Sequence, residues 1–247
     1  MSFNWGGAWR YRRIRILDSE SDIPATVDEL IWRKDVPAAL GRANPAGFQV
    51  LYLADRIETA FAEKDVDNSR VVLAEFSILP GRSSQIAFVG EMAQIQRSGR
   101  GFMAGDASSK LNEFLNACER DEATSLLIAD AFLLKCLTNR EDDYAVSSAV
   151  ALSVFEKLEG FVSALAFPSR RREGGINFAV RVENFWDVWG VISVRRGRVS
   201  ALAEKFYRFS DIRVVNGITS RGSLRWDEQV SADHTYAPLH PLWTPTS

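Results

Sequence analysis

Four polar side chains in mostly apolar surroundings are the first candidates for chemistry in this sequence: Arg42, Tyr52, Glu63 and Ser169. Arg42 lies in a glycine-containing loop that is expected to leave its guanidinium group exposed. A guanidinium group can bind phosphate oxygens through two parallel hydrogen bonds. Tyr52 lies in an apolar run, where its ring can stack and its hydroxyl needs a partner. Glu63 lies close to the apolar positions of a predicted helix, where a carboxylate is costly unless it is paired or functional.

A second block, FPSRRREGGIN, places Ser169 at the end of a predicted strand and Asn177 after a glycine turn. This arrangement could present a hydroxyl and an amide to a ligand. The alternative is a β-hairpin in which Pro, Gly and Asn serve only the turn geometry. Similarly, an arginine after glycine is usually a surface residue and a strand tyrosine is usually part of the core. The residues alone therefore leave both interpretations open.

The composition limits the classes of function. Hydrophobic residues make up 46% of the 247-residue chain and charged residues 25%, which is typical of a globular core. The net charge of −2 argues against non-specific nucleic-acid binding, which needs surplus Lys and Arg. The basic residues nevertheless cluster in the runs WRYRRIR, SRRR and RRGR. Such runs could face an anionic ligand, although a solvated surface is the commoner outcome.

Cysteine and histidine usage disfavours metal and histidine chemistry. Cys118 and Cys136 have neither metal-ligand spacing nor a disulfide framework, which predicts a reduced, cytoplasmic setting. Both histidines, His234 and His240, lie in the proline-rich end of the sequence. A Ser-His-Asp hydrolase or a His-ligated zinc site is therefore not expected. The sequence lacks the apolar run of about 18 residues that a membrane span needs, and its start lacks a secretory signal.

Hydrophobic periodicity predicts alternating strands and helices. Strands are predicted over 11–17, with one charged side, and over 48–53, 71–79, 163–167, 177–182 and 189–194. Helices are predicted from an Asp55 cap through Glu63, and over 109–118, 122–137 and 144–158. Residues 80–106 are predicted to be a long excursion, 205–215 mixed structure, and the proline-rich end an extended tail or arm. We divide the chain into a catalytic domain over 1–195 and a C-terminal extension over 196–247.

Three runs of this sequence resemble the signatures of RES-domain proteins, a family named for Arg, Glu and Ser. GRANPAG, followed by VLYLAD and ETAFAE, resembles the core signature. DDYAVSSAVA resembles the family's Tyr-x-x-(Thr/Ser) helix start, and VSALAFPSRRREGGIN resembles its second signature. The runs occur in the family's order between about residues 10 and 185. Phe167 replaces a commoner tyrosine, and the glycine lead-in before that strand is reduced, which puts substrate positioning in question.

The resemblance implies an α+β fold of the ADP-ribosyltransferase type, with a split mixed β-sheet core and flanking helices. Carried across by position, the family's catalytic residues fall on Glu63, Arg42, Tyr52 and Ser169. The residues implied to bind NAD are Arg13, Arg42, Tyr52, Ser169 and Asn177. Arg13 is our choice among the arginines of WRYRRIR for the family's N-terminal strand arginine.

The resemblance also implies a toxin-like enzyme that consumes NAD by cleaving its nicotinamide–ribose bond, through hydrolysis or phosphorolysis and without a metal. Glu63 would stabilise the oxocarbenium-like cation, and Arg42 with Arg13 would clamp the pyrophosphate. Tyr52 would stack on nicotinamide or ribose, Ser169 would hydrogen-bond the ribose or amide, and Asn177 would hold its loop.

Two alternatives remain open at this point. One is transfer of ADP-ribose to a macromolecule, and the other is a non-catalytic module that binds or senses a nucleotide. Family members commonly pair with a co-encoded antitoxin that carries a helix-turn-helix domain, so such a protein is an implied partner. Self-association through the C-terminal extension is a further alternative.

Overall fold

The computed structural model describes residues 2–7, 9–19, 21–32, 34–105, 108–138, 144–157, 162–227 and 238–245. Within these ranges, ten strands form one sheet and six α-helices flank it, which confirms the expected α+β class. The strands are β1 Ser2–Trp5, β2 Tyr11–Ile16, β3 Val50–Ala54, β4 Ser69–Ile78, β5 Ser84–Phe88, β6 Ala164–Pro168, β7 Ile176–Arg181, β8 Trp189–Ala203, β9 Phe206–Ile218 and β10 Leu224–Trp226. The helices are α1 Ile57–Glu63, α2 Glu91–Ser98, α3 Ser108–Ala117, α4 Arg120–Thr138, α5 Ala145–Lys157 and α6 Phe185–Val188.

The sheet is mixed, and its strands nearly separate at one place. Its order is β1-β5-β6-β7-β3-β2-β4-β8-β9-β10, and β5 runs parallel to β6. Strand β2 pairs with β4 along its whole length, Tyr11–Ile16, but with β3 only through Arg12 and Ala54. The sheet therefore opens between β2 and β3.

Apolar side chains cover both faces of the sheet. Leu51 and Leu53 of β3 belong to one buried cluster, whereas Val50 of the same strand belongs to a second. Successive strand residues point to opposite faces, so these clusters lie on opposite sides. Tyr11 and Ile14 of β2 are likewise buried in different clusters. The arginines of β2 also occur on both faces, so the prediction that this strand has one charged side was wrong.

Residues 80–105 contain regular structure, so the prediction of an irregular excursion was wrong there; Asp106 lies outside the described residues. Strand β5 lies between β1 and β6, and helix α2 follows it. The backbone amides of Gly90 and Ala93, at the start of α2, donate to the carboxylate of Asp130 at 2.7 and 3.0 Å. This capping residue comes from α4, far along the chain, so local capping signals could not reveal the helix.

The chain continues the same sheet beyond residue 195. Strand β8 runs on to Ala203 and pairs with β4 and β9, so the predicted boundary between 195 and 196 falls inside this strand. The predicted mixed structure over 205–215 is largely strand β9. Residues 238–245 lie against β8, where Val191 and Trp243 exchange backbone hydrogen bonds of 2.9 and 3.0 Å. Among the described residues, no helix is both long and apolar enough to cross a membrane.

Asp55 connects the start of α1 to β7 instead of capping the helix as predicted. Arg56 is the N-cap residue. One carboxylate oxygen of Asp55 accepts hydrogen bonds from Thr59 Oγ1 at 2.8 Å and from the Ile176 backbone amide at 3.1 Å. The Asp55 amide in turn donates to the Ile176 carbonyl at 3.0 Å. These bonds fix where α1 leaves the sheet, and hence where its last residue lies.

We expect the change Asp55→Ala to lower the free energy of unfolding by about 1–3 kcal/mol, because it leaves the Ile176 amide and the Thr59 hydroxyl without their acceptor. Urea denaturation measures this loss. Asp55→Asn is the matched control, since its amide oxygen can still accept both bonds, and it should retain most of the stability. Equal stability of Asp55→Ala and wild type would contradict this role.

Candidate active site

A cavity of about 340 Å³ lies where β2 and β3 diverge. Strands β2, β3 and β7, the end of α1 and the loop before β3 supply its walls. Five of the six residues that the sequence singles out line it: Arg13, Arg42, Tyr52, Glu63 and Asn177. The structure thus brings together side chains that are up to 164 positions apart in the sequence.

Glu63 occupies the last position of α1, and its carboxylate is held in one orientation. Oε1 accepts hydrogen bonds from Ser169 Oγ and Asn177 Nδ2, both at 2.6 Å. Oε2 lies 4.0 Å from Nη2 of Arg42. The side chain is only 22% exposed. Two donors on one oxygen and a cation beside the other fix both the position and the direction of the charge.

Ser169 directly follows β6, and its hydroxyl forms a hydrogen bond with the Glu63 carboxylate. Its hydroxyl donates to Glu63 and accepts from the backbone amides of Arg171 and Arg172 at 3.2 and 3.0 Å. A hydroxyl has one donor and two acceptor lone pairs, so these bonds use its full capacity. The expected bond from Ser169 to substrate therefore does not match this geometry. Its position assigns it to orienting Glu63.

Glycine at position 175 allows the Ser169 turn to approach α1. The Ser169 amide donates to the Gly175 carbonyl at 2.8 Å, which closes the turn. A Cβ atom at Gly175 would lie 2.7 Å from Thr59 Oγ1, too close for a larger residue without movement. The close contact places Ser169 within reach of Glu63.

The loop that carries Arg42 is fixed by Asn44 and Tyr52. Gly41 and Asn44 exchange backbone hydrogen bonds of 2.9 and 3.3 Å. The Tyr52 hydroxyl donates to Asn44 Oδ1 and accepts from the Ala43 amide, both at 2.8 Å. Asn44 Nδ2 donates to the Ala39 carbonyl at 2.8 Å. Sequence reasoning treated Asn44 only as part of the GRANPAG loop, because its burial and its bond to Tyr52 are visible only in the structure.

Burial raises the pKa of the Tyr52 hydroxyl to about 12, although the Ala43 amide and Arg42 oppose the shift. The hydroxyl is therefore protonated at neutral pH and can donate to Asn44 while it accepts from Ala43. Tyr52 also lines the cavity. Tyr52 thus both forms part of the wall and anchors the Arg42 loop.

The cavity is rich in positive charge. The Nε atom of Arg42 is buried and has no hydrogen-bond partner among the described residues. Arg13 contacts the Ile31 carbonyl at 3.4 Å, and burial lowers the pKa of its guanidinium to about 10, which still leaves it protonated at neutral pH. Burial, and then the charge of Arg13, lower the pKa of Lys64, a cavity residue that sequence reasoning missed. These groups suit an anionic ligand.

The neighbouring arginines of β2 have carboxylate partners. Arg12 pairs with Glu75 at 3.0 Å and also donates to the Asp55 carbonyl, and Arg15 pairs with Asp22 at 3.3 Å. Arg13 has no carboxylate partner among the described residues. Across the same ranges, no group of three or more His, Cys, Asp or Glu side chains could hold a metal ion.

We expect Gly41→Ala to lower the free energy of unfolding by about 1–3 kcal/mol, the usual cost of overpacking. Its Cβ would overlap Asn44 Oδ1 and lie 2.9 Å from the Tyr52 hydroxyl, so the loop must move. The control is Gly217→Ala, where a Cβ meets nothing within 4 Å. Chemical denaturation compares the two variants, and hydrogen exchange at the Ala43 amide reports the loop directly. Equal effects of both changes would argue against a tightly packed loop.

A family model described as the RES domain matches residues 14–200, well over half of the chain. The match begins just after Arg13 and includes Arg42, Tyr52, Glu63, Ser169. None of the curated proteins compared matches this chain. The protein belongs to the RES-domain family, which at the level of the family implies an NAD-related, toxin-like function.

Proposed function

We propose that this protein is an NAD-consuming enzyme that cleaves the nicotinamide–ribose bond of NAD⁺ and passes ADP-ribose to water or phosphate. The observation that carries the proposal is the orientation of Glu63. Its carboxylate is held by Ser169 and Asn177 at the wall of a cavity that several cationic and several apolar residues also line. A fixed negative charge in the same cavity as cationic groups suits a substrate that has both a developing cation and a diphosphate.

The chemistry requires one well-placed carboxylate. When the bond between the ribose C1′ and nicotinamide breaks, its electron pair goes to the ring nitrogen and neutralises the pyridinium. Positive charge then develops on the ribose, as in glycoside cleavage. A preorganised carboxylate stabilises that charge, and removal of such a group costs on the order of 3 kcal/mol. Water attacks C1′ and releases a proton to give ADP-ribose, whereas phosphate gives ADP-ribose phosphate.

The remaining residues would bind and orient NAD. Arg42 and Arg13 would hold the diphosphate, since both guanidinium groups line the cavity and arginine forks match phosphate oxygens. The Tyr52 ring would lie against nicotinamide or ribose. Ser169 and Asn177 would act through Glu63, because both donate to its Oε1 atom.

The molecule that accepts ADP-ribose distinguishes the proposed reaction from the alternatives. The same carboxylate and cationic wall could serve ADP-ribose transfer to a macromolecule, and a binding module could hold NAD without cleaving it. A co-encoded antitoxin with a helix-turn-helix domain is proposed as partner on family grounds alone. Incubation with labelled NAD separates these outcomes: free ADP-ribose indicates hydrolysis, ADP-ribose phosphate indicates phosphorolysis, and a labelled macromolecule indicates transfer.

We expect Glu63→Gln to lower kcat for NAD turnover about 100- to 1,000-fold, because the neutral amide cannot stabilise the ribosyl cation. Release of nicotinamide, followed by chromatography, measures the rate. The control is Glu156→Gln, the same change at an exposed position on α5, which should retain wild-type turnover. Unchanged turnover in Glu63→Gln would refute the role of Glu63. Calorimetric binding of NAD to wild type without any turnover would favour the binding module.

Ser169→Ala should lower kcat about 10-fold or more and change KM little, because a hydrogen bond to a charged group contributes about 1.5–3 kcal/mol. Combined with Glu63→Gln, it should cause almost no further loss, since both changes remove one function. Ser153→Ala, at an exposed position on α5, is the control. A rise in KM alone would instead support the direct substrate contact that the sequence suggested.

A further inference from the structure

A second cavity, of about 450 Å³, lies on a different face of α1 from the catalytic cavity. Ile57, Glu58 and Phe61 of the helix line it, whereas Ala60, Glu63 and Lys64 line the first cavity. The outer wall includes residues of the β8–β9 hairpin. No step of the proposed reaction uses this space.

Two basic runs that are far apart in the sequence converge on the second cavity. Arg10 and Arg12 come from WRYRRIR, and Arg195 comes from RRGR. The sheet brings them together because β4 lies between β2 and β8: Arg12 pairs in register with Glu75, and Glu75 with Ser193. Strand β9 adds Arg208. Four guanidinium groups therefore line one space.

The carboxylates around this cavity are outnumbered by the guanidinium groups. Glu75 is 2% exposed and bonds Arg12 at 3.0 Å and Arg195 at 3.1 Å through different oxygens. Ser193 Oγ also donates to Glu75, at 2.7 Å. Glu58 is the other acidic residue in the lining. Four arginines and two glutamates therefore line this cavity, so its lining residues carry a net positive formal charge that would attract a phosphate. Clustered arginines are also the side chains that recognise phosphate most specifically.

The wall of the cavity also offers aromatic surface. Tyr207 lies half-buried at the β9 side, with its ring centroid 5.5 Å from that of Phe61. Phe209 is buried beside Phe61, at a centroid distance of 5.8 Å. A ring beside clustered arginines suits a ligand that has a phosphate and a flat or apolar part.

We propose that the second cavity binds the phosphate group of a small nucleotide-like ligand, separately from the NAD bound in the catalytic cavity. Arg208 would contact the phosphate, and Arg10 would add positive charge beside it, while Arg12 and Arg195 stay bonded to Glu75. The ring of Tyr207 would contact the base. The proposal concerns binding and does not depend on NAD turnover.

Calorimetric titration with pyrophosphate at low salt tests this site. All proteins carry Arg42→Gln, which removes a cation of the catalytic cavity and leaves the second cavity intact. In that background we expect Arg208→Glu to raise the Kd for pyrophosphate at least about tenfold, since each lost charge-assisted bond costs more than about 1.4 kcal/mol. Arg225→Glu, an exposed arginine on β10 outside both cavities, makes the same charge change and should leave the Kd unchanged.

A second variant and a second ligand complete the test. Arg10→Gln should also weaken pyrophosphate binding, and thermal melts of every variant confirm that the fold persists. AMP should bind more tightly than ribose 5-phosphate if Tyr207 contacts the base, and Tyr207→Ala should remove that difference. Equal Kd values for Arg208→Glu and Arg225→Glu, or no pyrophosphate binding by the Arg42→Gln protein, would overturn the proposal.

Discussion

The arrangement of the site depends on the hydrogen bonds that Ser169 and Asn177 donate to one oxygen of Glu63. They join the end of α1 to the turn after β6 and to the start of β7, which lie 106 and 114 residues later in the sequence. Without these bonds, a carboxylate at the last turn of a short helix could adopt several rotamers. The bonds direct its second oxygen towards Arg42. Preorganisation of this kind is the main means by which a protein stabilises a developing charge.

The opening of the sheet between β2 and β3 provides the space for that carboxylate to act. The two strands share one residue pair. Beyond that pair, residues of β2 and β3 that would pair with each other in a continuous sheet line the cavity instead. Arg12 and Arg13 are adjacent in β2 and point to opposite faces. Arg12 is held by Glu75, whereas Arg13 has no such anion among the described residues. Ion pairing therefore distinguishes a structural arginine from the ligand-binding candidate beside it.

Sequence reasoning predicted the types of most elements and failed where a partner came from far along the chain. Runs with strong periodicity, such as those of β3, β4 and α4, were assigned to the right class. Strand β5 and helix α2 were missed, because Asp130 of a later helix caps α2 and because β5 owes its place to β1 and β6. The hydrogen bond from Ser169 to Glu63 was not predicted for the same reason, because the two residues are 106 positions apart in the sequence.

The sequence by itself determined the residue types of the candidate site, the family, and the α+β class, because motif spacing and periodicity are local properties. Tertiary structure alone decided which groups face the cavity and which support others. It placed Asn44 within hydrogen-bond distance of Tyr52, and Ser169 within hydrogen-bond distance of Glu63. It also brought arginines of β2 and β8 to one cavity. Such decisions follow from strand order and from the satisfaction of buried polar groups, which are fixed only when distant segments meet.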